Sequence, residues 1–158
     1  TDACQAAGAL EMDVQKLGVD ILALNGSKIY GPKGVGALFV HRSVKLKPLI
    51  YGGGQESGLR SGTENVAGIV GLAEALAIAQ KERVKENARL IKLRDYFIAE
   101  ILKLTPGAIL NGHAQNRLPN NINISIPRLE GEKHQSCQTQ QDKQADPDVD
   151  GFTLHMIS

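Results

Sequence analysis

Lys28 closes an apolar run, ILAL (21–24), and stands before a turn built from Gly31, Pro32 and Gly34. A lysine amine bonds a carbonyl carbon reversibly, but it attacks only as the neutral base. Its surroundings must therefore favour loss of the proton, through burial or nearby positive charge. The end of a buried strand predicts that burial. Taken alone, Lys28 reads better as a surface lysine in a turn; its neighbours reverse that reading. Asp2 supplies a carboxylate that can keep an aromatic ring nitrogen protonated. Gln5 lies three residues on, on the same side of a helical turn, and offers an amide. Asn25 and Ser27 flank the lysine and both can donate to a phosphate, as can N–H groups of the turn. Thr63, in RSGTEN (60–65), offers a hydroxyl to a phosphate or to the start of the next helix. Arg60 braces that loop.

Four stretches carry a resemblance: DACQAAG (2–8), SKIYGPKGVGALFV (27–40), GGGQESGLRSGTEN (52–65) and LPNNINIS (118–125). From residue 1 to about 132 the chain resembles the cysteine desulfurases, pyridoxal 5'-phosphate (PLP) enzymes of fold type I in the class V aminotransferase group. The resemblance implies an α/β fold holding the second half of the large PLP-binding domain and the start of a small α+β domain. It implies removal of sulfur from L-cysteine, leaving alanine and an enzyme persulfide for iron–sulfur cluster or thio-nucleotide synthesis. By it Lys28 holds PLP, Asp2 faces the ring nitrogen, and Gln5 bonds the ring oxygen. Asn25 and Ser27 hold the phosphate, and Thr63 reaches the phosphate of a neighbouring subunit. A homodimer, a sulfur-acceptor or scaffold protein and a cytoplasmic location follow from the same source.

The match departs in one place. The family carries serine or threonine three residues before the lysine and histidine immediately before it, where this chain has Asn25 and Ser27. Cys137, in SCQTQ, lacks the serine-, glycine- and alanine-rich loop of the family's nucleophile and is not assigned that role. The chain is thus expected to be incomplete and inactive by itself. A selenocysteine lyase or aminotransferase of the same group, or a non-catalytic fragment, are the alternatives.

The elements that must position these residues are legible in order. Asp13 caps a short helix that Gly18 stops. DILAL (20–24) and VGALFVHR (35–42) read as neighbouring antiparallel strands, continuous in apolar residues. Residues 45–65 form a glycine-rich loop, and Asn65 or Thr63 caps a helix over 66–103. Its first half is apolar almost all round, which predicts burial, and its second half is amphipathic. Pro106 and Gly107 end it, and strands follow at 108–112 and 120–127. The domains expected are 1–82, 83–132 and an irregular, glutamine-rich tail over 133–158. The apolar sheet edge and helix start predict self-association.

Composition excludes several classes. The 158 residues carry 18 basic and 17 acidic side chains, which gives no electrostatic case for nucleic acid or an anionic membrane. The two cysteines, Cys4 and Cys137, make neither a disulfide framework nor a metal pattern. Cys4 is read as a small buried apolar residue. The four histidines lack metal-ligand spacing. GPKGVGA (31–37) lacks the lysine–serine/threonine end of a P-loop. DPDVDG (146–151) starts like a calcium loop, but its twelfth place is Ile157 rather than glutamate.

Overall fold

The structure, a computed structural model, describes residues 1–127 and the backbone of 151–157. The chain divides into two compact units, Thr1–Lys85 and Glu86–Ser158.

In the first unit, helix α1 (Val14–Leu17) is fixed at both ends by its sequence. The Asp13 carboxylate accepts from the N–H groups of Gln15 and Lys16 at 3.0 and 3.3 Å, and Gly18 turns the chain at φ 63°. Strand β1 (Ile21–Asn25) runs into a 3-10 turn (Gly26–Lys28) and pairs antiparallel with β2 (Gly36–Val40). The register sets Ile21 opposite Val40 and Asn25 opposite Gly36. The loop 45–65 holds one short 3-10 turn, Glu56–Gly58, and then helix α2 (Val66–Leu104) begins. The Asn65 side chain accepts from Gly68 N–H at 3.0 Å, so Asn65 is the cap and Thr63 lies outside it. The core gathers on Ala7, Ile29 and Leu72, with Leu24, Val35 and Ala75 against them.

The first turns of α2 correct the expected burial. Val66, Val70 and Ile78 are 66, 62 and 53% exposed. Ala7, Met12, Leu24, Ile29 and Val35 make a single wall, which covers the face carrying Leu72, Ala75, Leu76 and Ala79 and leaves the others open.

In the second unit, β3 (Ile109–Leu110), β4 (Asn121–Pro127) and β5 (Gly151–Ile157) form an antiparallel sheet in the order β3–β4–β5. Strand β4 alternates as its sequence predicts, burying Ile122 and Ile124. These two pack with Ile98 of α2. The Arg94 guanidinium, 6% exposed, donates to the carbonyls of Arg117 and Leu118 at 3.2 Å and pairs with Asp95. It thereby ties the β3–β4 connection to the helix.

Strand β5 corrects the reading of 133–158 as irregular to its end. FTLHMI alternates large apolar and polar residues, and Asn121 opposite Ile157 starts a seven-residue pairing. Cys137, His134 and most of the calcium-like DPDVDG stretch lie outside the described residues.

Candidate functional site

Asp2, Asn25, Ser27 and Lys28 lie on β1, beside it or in the turn that follows it. Asp2 forms a parallel bridge with Ala23; Ala3 N–H donates to Ala23 O at 2.8 Å, and Ala23 N–H donates to Thr1 O at 3.0 Å. Those bonds lay the start of the chain along β1. From Ala3 the backbone curls into a helical turn, with Ala7 N–H donating to Ala3 O at 2.8 Å. Gln5 sits half-buried in that turn. Three residues beyond Asn25, the last of β1, Lys28 closes the 3-10 turn.

Asp2 and Cys4 form one unit. The Cys4 N–H donates to Asp2 Oδ1 at 2.8 Å. The Cys4 thiol, and then its amide, hold the Asp2 carboxyl below the ordinary carboxylate value, against a small opposing effect of burial. In return the hydrogen bond to Asp2 pushes the Cys4 thiol up, while the Lys28 ammonium pulls it down. The Lys28 effect is the smallest of those acting on the thiol. Cys4 is half-buried and polar in its contacts, which corrects its reading as a buried apolar filler. An aspartate followed two residues later by a donor is the sequence signal that could have found this pair.

Lys28 is exposed, so the burial expected from the strand end is absent. The next residue, Ile29, takes the buried place, at 3% exposure. The phosphate donors also need correction. Asn25 Oδ1 accepts from Ser27 N–H at 2.8 Å and from Ser27 Oγ–H at 2.7 Å. A serine hydroxyl has one proton, so here Ser27 spends its donor on Asn25. Apart from Lys28 itself, the Asn25 amide N–H₂ is the side-chain donor left at this turn. Thr63 is exposed, and among the described residues no hydrogen bond ties it to Asn25, Ser27 or Lys28. Arg60 donates to Ser61 O at 2.6 Å, the bracing its place in the loop predicts.

Gln80 is a residue the sequence did not announce. Its Nε2 donates to Ala7 O at 2.7 Å and to Leu10 O at 2.8 Å. Both amide protons thus fasten α2 to the turn that carries Gln5. A cavity of about 570 Å³ opens at the other end of the β1–β2 pair, beside Asp20, Phe39 and His41, and includes none of the candidates. Among the described residues no group of three or more His, Cys, Asp or Glu could hold a metal, and no helix is long and apolar enough to cross a membrane.

The sequence profile of the family described as "Aminotransferase class-V" matches residues 1–142. This chain belongs to the class V aminotransferase family. Within that family it is 52% identical over 132 residues to "Cysteine desulfurase IscS" of Dictyoglomus turgidum, an alignment covering 84% of this chain and 34% of that protein. It is 51% identical over 131 residues to "Cysteine desulfurase IscS 1" of Archaeoglobus fulgidus, covering 83% and 34%. Its fold matches a solved "NifS-like protein" with a TM-score of 0.76 at 40% identity, over 83% of this chain and 35% of the other. The chain thus spans about a third of the length of the relatives it matches. The family's fold is the PLP-dependent fold type I, of which these elements are an α/β part.

The residues present fit PLP. The Lys28 amine is reachable, Asp2 is held as a carboxylate, and the Asn25 amide and turn N–H groups are donors suited to a phosphate.

Proposed function

We propose that this chain forms the lysine side of a cysteine desulfurase-type PLP site, in an enzyme that takes sulfur from L-cysteine and leaves alanine and a persulfide. The observation that carries the reading is that Asp2 is bridged to Ala23 of β1, the strand that runs into the turn ending in Lys28. PLP when bound supplies an electron sink that no side chain offers. Lys28 would hold the cofactor's aldehyde carbon. Asp2 would accept the ring N–H, and the Cys4 hydrogen bonds keep it anionic for that task. Gln5 would donate to the ring oxygen, and Asn25, Ser27 and the turn amides would bind the phosphate. Ser27 must first release Asn25 to donate.

Thr63, free of the helix cap, would serve a phosphate across a dimer interface. Tyr30, Leu49 and Tyr51, exposed by 93, 95 and 77%, support a second copy as partner. A sulfur-acceptor protein would take the persulfide. The free Cys4 thiol suits a reducing cytosol.

The test is titration of the chain with PLP, followed by the visible absorbance of the lysine-bound cofactor. The band develops with the native sequence and is lost with Lys28→Ala. An unchanged band in Lys28→Ala assigns the cofactor to another lysine and overturns the reading.

A further inference from the structure

Two fixed points follow Lys28 along the chain. Ile29 packs against Ala7 and Leu72 in the core. Three residues later the chain meets α2 at Pro32. A Cβ on Gly71 would lie 2.6 Å from Pro32 Cγ and 3.1 Å from its Cδ. The proline ring is rigid and cannot swing aside as a long side chain does. The same seam is tight at Gly31, where a Cβ would meet Ala75 Cβ and Gly26 O at 3.0 Å. Within the turn, Ile29 N–H and Gly31 N–H both donate to Gly26 O, at 3.2 and 2.9 Å. Tyr30 lies between them at φ 61°, a left-handed backbone rare for a side-chain-bearing residue. Its side chain is 93% exposed and does not hold that conformation. Such strain persists only where the surroundings impose it.

The helix itself would favour alanine over glycine at position 71. The glycine there answers a need outside the helix. We infer that Gly71 is a positioning residue. Its missing side chain seats Pro32 against α2, which sustains the left-handed turn at Tyr30 and so sets where the Lys28 amine stands. The inference rests on Lys28 being the PLP lysine.

A double-mutant cycle tests it. Gly71→Ala is expected to speed amide exchange at Ile29 and Gly31 by about tenfold or more. It also weakens PLP binding at Lys28 by about tenfold, since small displacements of a reacting group are costly. Helical circular dichroism stays at the native level. In the Pro32→Ala background, which removes the clashing ring atoms, the same change at Gly71 leaves exchange and PLP binding where Pro32→Ala alone puts them. Native exchange and PLP affinity in Gly71→Ala overturn the inference. So does an equal effect of Gly71→Ala in both backgrounds, which would make it a property of the helix. If native protein takes up no PLP at Lys28, the functional reading fails, and the exchange measurements still decide whether Gly71 holds the turn.

Discussion

The Asn25 side-chain carbonyl accepts both protons that Ser27 can offer, from its N–H at 2.8 Å and its Oγ at 2.7 Å. One acceptor thus caps the 3-10 turn that ends in Lys28 and fixes the hydroxyl beside it. Loss of such a cap costs about 1 kcal/mol. Asn25→Ala is expected to lower unfolding stability by that amount in urea. Asn25→Asp keeps the acceptor and the stability, but sets a negative charge where a phosphate binds. PLP affinity should therefore fall in both variants while stability falls only in the first.

Asp2 gives a pH dependence whose sign is fixed by its surroundings. Hydrogen bonds from the Cys4 thiol and amide favour its charged form and hold it below the ordinary value of 3.8. A carboxyl lowered on folding contributes stability above its unfolded value and loses it as pH falls through the folded value. The stability gap between native protein and Asp2→Asn should be constant near neutrality and close in the acid range below 3.8. Carboxyl chemical shifts followed by NMR should place the Asp2 midpoint below that value, and Cys4→Ala should move it up.

The same pair governs the thiol. The bond to Asp2 raises the Cys4 thiol above its ordinary value of 9.0, and only the thiolate is nucleophilic. Alkylation of Cys4 by iodoacetamide at mildly alkaline pH should be slower in the native protein than in Asp2→Asn. Mass spectrometry of the Cys4 peptide against time measures it. Equal rates would remove the thiol–carboxylate bond from the account.

Gln80 satisfies two carbonyls of the Ala3–Leu10 turn. Gln80→Ala leaves both without a protein donor, which costs about 1–3 kcal/mol for a buried group and less where water reaches it. Gln80→Glu is expected to be at least as harmful, since its carboxylate faces two carbonyl oxygens. Chemical unfolding of the three proteins ranks them.

In the second unit, Ile124 is fully buried and Ile109 is 56% exposed. Ile124→Ala is expected to cost about 2–5 kcal/mol through a cavity beside Ile98 and Ile122. Ile109→Ala should change stability by no more than about 0.5 kcal/mol. Thermal unfolding followed by circular dichroism distinguishes them.

Local chemistry was legible in the sequence. Asp13 and Gly18 bracket α1 because a short acceptor and a residue tolerant of positive φ act on their own neighbours. The β1–β2 pairing followed from two apolar runs joined by a turn, and β4 from strict alternation. The stretches 2–8, 27–40, 52–65 and 118–125 were sufficient to suggest the family. The strand at 151–157 was missed because its partner β4 lies more than twenty residues away along the chain.

What only tertiary structure decided depends on which groups meet across such separations. Periodicity named the apolar residues of α2 but could not say how many walls would cover them; β1 and the turns beside it supply one, so Val66 and Val70 remain exposed. Spacing put Lys28 at a strand end but could not show that Ile29 takes the buried place beside it. No local rule joins Gln80 to Ala7 or Gly71 to Pro32. A residue's type sets which bonds and contacts it can make, and the path of the folded chain sets which partner is there to make them.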